Sequence, residues 1–79
     1  MPNSVNISIV AAPPVEDILN IPGVLKAEHL GGIRYRIQYA DGQETLERIV
    51  ETSVLRQWRL TEIAVEKMSL ENIFSMLSR

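Results

Sequence analysis

The chain has 79 residues, enough for one small domain that buries only about 60–65% of the surface of its unfolded form. A composition of 46% apolar and 23% charged residues is that of a globular protein, and a net charge of −2 lacks the cationic excess that nucleic-acid binding needs. The absence of cysteine excludes disulfides and thiolate metal sites, and a single histidine, His29, argues against a histidine-based zinc site.

The longest apolar run, Ile9–Ala12, is far short of a membrane span. The opening MPNSVN has no basic region followed by an apolar one, so no secretory signal is expected. The expectation is a soluble, intracellular, single domain with no direct membrane insertion.

In VNISIVAA, Val5, Ile7 and Ile9 alternate with Asn6 and Ser8, which predicts a strand. PPVEDILNIPG opens with prolines suited to a first helical turn. Val15, Ile18 and Leu19 follow at helical spacing, and Pro22-Gly23 closes a helix of about two turns. VLKAEHL reads as a strand of mixed alternation, ended by the turn signal Gly31-Gly32. IRYRIQYA is the clearest strand, with Ile33, Tyr35, Ile37 and Tyr39 on one face and Arg34, Arg36 and Gln38 on the other. Two strands joined by Gly-Gly predict a hairpin.

Asp41-Gly42 stops that strand, and Asp41 with Glu44 three residues on resembles a capping box. The following helix has the stripe Leu46, Ile49, Val50 and Val54, with Ser53 inside it. Leu55 lies about 180° from that stripe, as a frayed end or an exposed apolar contact. WRLTEIAVEKM is a strand with a break in parity. Trp58 and Leu60 share one face and Ile63 and Val65 the other, so a bulge near Thr61-Glu62 or a strand covered on both faces is expected. Ser69 then caps a last helix, with Leu70, Ile73, Phe74 and Leu77 at i, i+3, i+4 and i+7.

The order β-α-β-β-α-β, with one more helix after it, predicts an α+β fold: a ferredoxin-like split βαβ sandwich (βαββαβ) with an additional C-terminal helix. Two helices would cover one face of a four-stranded antiparallel sheet. The other face, carrying Arg34, Arg36 and Arg59, has no internal partner.

Catalysis needs a nucleophile or base, a group to orient it, and a pocket. His29 has no partner motif, and the pairs Glu16-Asp17 and Glu44-Glu47 fall on polar helix faces, where solvation explains them. Gly31-Gly32 joins strands instead of leading into a helix, and no Gly-x-x-x-x-Gly-Lys-Ser/Thr run exists. RNA-binding relatives of this topology stack bases on aromatics of the open sheet face, whereas Tyr35 and Tyr39 read as core. Trp58 and Phe74 read as core anchors. No catalytic, cofactor-binding or metal-binding residue is therefore assigned. The candidate site is a protein interface of Arg34, Arg36, Gln38, Leu55 and Arg59.

The tail EIAVEKMSLENIFSMLSR resembles the extreme C-terminus of ATP-binding subunits of ABC transporters, chiefly of the exporter branch. There a short strand leads through a charged turn into a Ser-Leu-Glu-acid-Val/Ile-Phe helix, matched here by Glu62, Ile63, Ser69, Leu70, Glu71, Ile73, Phe74 and Leu77. IPGVLKAEHL is similar to the family's Leu-Pro-Gly-Val stretch, and RYRIQYADG to its strand ending in Asp-Gly. Asn72 stands where the family has an acid, and Met68 where it has proline before the cap.

The resemblance implies a non-catalytic C-terminal accessory domain, a fragment with Met1 as an artificial start, lacking the upstream nucleotide-binding core. ATP and magnesium would belong to the parent ATPase, not to this chain. The implied partners are proteins: the nucleotide-binding core, a twin subunit and, through the parent, a membrane permease. The implied location is the cytoplasmic face of the membrane. The alternative is a free-standing ferredoxin-like module that binds a small ligand or dimerises.

Overall fold

The computed structural model describes residues 3–40 and 42–66. Chain order is β1 (Asn3–Ile9), α1 (Val15–Leu19), β2 (Val24–Gly31), β3 (Arg34–Tyr39), α2 (Gly42–Leu55) and β4 (Leu60–Glu66). The four strands form one sheet in the order β2-β3-β1-β4, and each neighbouring pair is antiparallel. It follows that β1 runs parallel to β2, and β3 to β4, with one strand inserted in each pair. This is a small α+β domain with two helices. The expected terminal helix and the Asp41 cap lie outside the described residues.

Alternation builds the core. Val5, Ile7 and Ile9 of β1 pack with Tyr35, Ile37 and Tyr39 of β3, all at most 1% exposed. Ile18 of α1, Ile21, Ile49 of α2 and Trp58 complete the cluster, so both helices cover the same sheet face. Buried side chains of this size each contribute about 1.5–3 kcal/mol. The Tyr35 hydroxyl donates to the Pro13 carbonyl at 2.7 Å, which satisfies its polar end. Ile33, expected on the core face, precedes β3 and is 40% exposed; its carbonyl accepts from the Ile9 amide at 2.8 Å.

α1 has five residues, shorter than the two turns expected, because Pro22 and a turn follow at once. Pro14 occupies the position before its first helical residue, with extended backbone, and Leu19 is exposed. The Val24 amide donates to the Ile21 carbonyl at 3.1 Å, and Gly23 has φ +94°, so Pro22-Gly23 are the central residues of a type II turn.

The buried stripe of α2 differs from the one expected. Thr45, Ile49 and Ser53 face the core, Leu46 flanks them, and Val50 and Val54 face outward. The buried line is turned by about two-thirds of a residue step. In this orientation Thr45 lies against Gly23, where a Cβ on the glycine would clash with it, and the next buried residue one turn on is Ile49. Leu55 closes the helix and is 83% exposed.

β4 contains the expected bulge. Ser8 pairs with Glu62 but Ile9 pairs with Leu60, which leaves Thr61 as the extra residue. Its hydroxyl donates to the Ser8 carbonyl at 3.4 Å. The bulge returns Ile63 and Val65 to the side of their partners Ile7 and Val5, the face that carries the helices. Trp58 is buried but precedes the strand, in a loop tied to residues 10–11 by the Val10 and Ala11 amides.

Candidate interaction surface

Pairing register fixes what the helix-free face presents. Ser4, Asn6 and Ser8 of β1 lie opposite Gln38, Arg36 and Arg34 of β3. On one side Lys26 and Glu28 of β2 pair with Gln38 and Arg36; on the other, Glu62, Ala64 and Glu66 of β4 pair with Ser8, Asn6 and Ser4. The face is thus polar across all four strands and carries both charge signs.

Its centre is a hydrogen-bonded cluster. Arg36 Nε donates to Asn6 Oδ1 at 3.3 Å and lies 3.5 Å from Glu66 Oε1, while the Asn6 amide donates to the same carboxylate. Ser8 Oγ donates to Glu62 Oε1 at 3.3 Å, and Lys26 lies 3.7 Å from Glu28. Arg36 and Glu66 are each about two-fifths exposed, so solvent screens the pair and its contribution to stability is below about 1 kcal/mol. A solvent-screened network of this kind orients side chains more than it stabilises the fold.

The five candidate interface residues divide into two groups. Arg34, Arg36 and Gln38 share the open sheet face, as alternation predicts. Arg59 does not join them: it precedes β4 with φ +64°, and lines a groove with Val50, Ser53, Val54, Gln57 and Leu60. Leu55 sits at the end of α2, also on the helix side of the sheet. Lys26, Glu28, Glu62 and Glu66 belong to the open face and were not singled out by sequence. The mixed alternation of β2 hid the first two, since its register shifts after Val24 and again after His29. The Thr61 bulge hid the others.

The groove has a volume of about 430 Å³ and is bordered by exposed apolar side chains of α2. His29, exposed at the end of β2, stacks on Tyr35 with ring centroids 4.7 Å apart, and its Nε2 lies 2.7 Å from the Gly32 carbonyl oxygen. Burial pushes the Tyr35 and Tyr39 hydroxyls above the ordinary tyrosine range. Both rings belong to the core. Among the described residues, no group of three or more His, Asp or Glu side chains is placed to hold a metal ion. No helix among them is long and apolar enough to cross a membrane.

No family model, no curated protein and no solved structure matches this chain.

Proposed function

We propose that this chain is the non-catalytic C-terminal accessory domain of an ABC exporter's ATP-binding subunit. It is a ferredoxin-like split βαβ sandwich with an additional C-terminal helix, and it docks on the nucleotide-binding core or on a second subunit. The observation that supports this reading is the open sheet face. Three strands' worth of ordered polar side chains around Arg36, with acids and bases interleaved, is a pattern suited to a protein surface of mixed charge. A polyanion would call for one sign of charge. ATP and magnesium are bound by the parent, which holds the domain at the cytoplasmic side of the membrane beside its permease.

The test uses the parent subunit and the isolated chain together. Arg36→Ala should weaken docking of the domain in the parent at least tenfold, read as faster proteolytic release. In the isolated chain the same change should alter stability by no more than about 1 kcal/mol, as for a half-exposed, solvent-screened pair. Saturable binding of Mg-ATP by the isolated chain in a calorimetric titration would overturn the reading.

A second reading, a free-standing dimerising or small-ligand module, draws on the outer edge of β2, where Leu25 is 58% and Leu30 42% exposed. Sedimentation that shifts with concentration, and is abolished by Leu25→Lys, would favour it.

A further inference from the structure

Among the described residues, no strand pairs with the outer edge of β2. Which backbone groups that edge presents follows from the register of its neighbours. The Ile9 amide donates to the Ile33 carbonyl at 2.8 Å, and these two residues continue the β1–β3 register, so they belong to a hydrogen-bonded pair. Alternation along β3 then turns the backbone groups of Tyr35, Ile37 and Tyr39 towards β1, and those of Arg34, Arg36 and Gln38 towards β2. On β2, Lys26 and Glu28 are the partners of Gln38 and Arg36, so their own groups bond inwards to β3. Ala27 stands between them and directs its N–H and C=O out of the sheet edge, where water or another strand must meet them.

We propose that β2 of a second copy of this chain completes the edge, antiparallel, with the two-fold axis at Ala27. The inference rests on the dimerising reading above and gives that contact its register. Such an axis makes Ala27 and the partner's Ala27 a hydrogen-bonded pair, each amide donating to the other's carbonyl. Lys26 then lies opposite the partner's Glu28, and Glu28 opposite the partner's Lys26. These flanking pairs are of the non-hydrogen-bonded kind, in which side chains approach most closely. Both side chains lie on the helix-free face, 60% and 38% exposed and 3.7 Å apart within one chain. Two copies thus close a ring of four charges alternating in sign.

Pleat and charge exclude the other registers. A slip of one residue sets a helix-side residue opposite an open-face one and breaks the continuity of both faces. A two-fold at Lys26 or at Glu28 puts like charges opposite each other, with no outward backbone groups at its centre. A two-fold at Leu25 or at His29 leaves both charges without a counter-charge. At Ala27 the pairing runs from Val24 to Leu30 and draws in the two leucines of this edge, Leu25 at 58% and Leu30 at 42% exposed. A lysine alone on an edge strand discourages pairing, whereas lysine followed two residues on by glutamate is complementary to itself.

Sedimentation equilibrium of the full chain tests this, with circular dichroism to show that each variant keeps its fold. The unaltered chain should dimerise as its concentration rises, and less tightly at high salt. Lys26→Glu and Glu28→Lys should each raise the dimer dissociation constant about tenfold or more, since each sets like charges opposite at two places. An equimolar mixture of these two variants should recover the original affinity, because every facing pair in the mixed dimer is again opposite in sign. The double variant Lys26→Glu/Glu28→Lys should recover it too. Dimerisation indifferent to either single change, or a mixture no tighter than its components, would overturn the proposal and leave a dimer contact elsewhere standing. Sedimentation independent of concentration would overturn the dimerising reading along with it.

Discussion

A Cβ placed on Gly23 would lie 2.2 Å from Thr45 Oγ1 and 3.0 Å from its Cγ2, and the backbone there has φ +94°. Two costs add at this one position. A left-handed conformation with a side chain costs about 1–2 kcal/mol, and forcing a rigid β-branched neighbour aside costs about 1–3 kcal/mol. Gly23→Ala should therefore destabilise the domain by about 2–5 kcal/mol, measured as the change in urea-unfolding free energy. The same contact explains the presence of a polar residue in the core, since Thr45 is fully buried and its hydroxyl finds no partner among the described residues. Repeating Gly23→Ala on a Thr45→Ala background, which removes Oγ1 and Cγ2 from the contact, should leave mainly the backbone cost and so separate the two. If Gly23→Ala loses under 1 kcal/mol in the native background, the turn is not under the steric constraint described.

The end of α2 shows how an element can be stopped by its own backbone. The Trp58 amide donates to the Ser53 carbonyl at 2.9 Å and the Gln57 amide to the Val54 carbonyl at 3.1 Å, the two bonds of a Schellman cap. Gln57 holds the left-handed position of that cap, with φ +55°, where glycine is the preferred residue. Gln57→Gly should stabilise the chain by about 1 kcal/mol, seen as a higher urea midpoint at unchanged slope. Any loss of stability would mean that the glutamine side chain makes a contact worth more than the backbone strain. The cap also supplies the physical stop at a boundary that the sequence marked only by the strand pattern starting at Trp58, since the residue at the turn is not glycine. The alternating strands β1 and β3 were legible since each residue faces either core or solvent, and the Thr61 bulge was legible as broken parity. The rotation of the α2 stripe was not, because it brings Thr45 against Gly23, twenty-two residues away in the chain, a contact that local spacing does not encode.

At the scale of the whole molecule, the sheet order places β1 and β3 at the centre, and the two tyrosines of β3 anchor the core from there. The order followed from the strand and helix sequence, but which edge would be left open did not. That depended on how far α2 covers β4, a matter of helix rotation. The central position of Tyr35 and Tyr39 has a consequence for the stability of the entire domain. Burial raises both pKa values above that of an unfolded tyrosine, about 10. Below that pH both states hold the phenolic protons, and the stabilisation from burying neutral rings is complete. As pH rises past 10 the unfolded chain loses protons that the folded chain keeps, so unfolding becomes more favourable until the folded pKa values are passed. The limiting slope is about 1.4 kcal/mol per pH unit for each tyrosine. Urea midpoints followed by circular dichroism from pH 8 to about 11 should thus be level at first and then fall. Tyr35→Phe/Tyr39→Phe should start lower, having lost the hydrogen bond to Pro13, yet fall less steeply. An equally steep fall in that variant would show that the alkaline limb arises from groups other than the two core tyrosines.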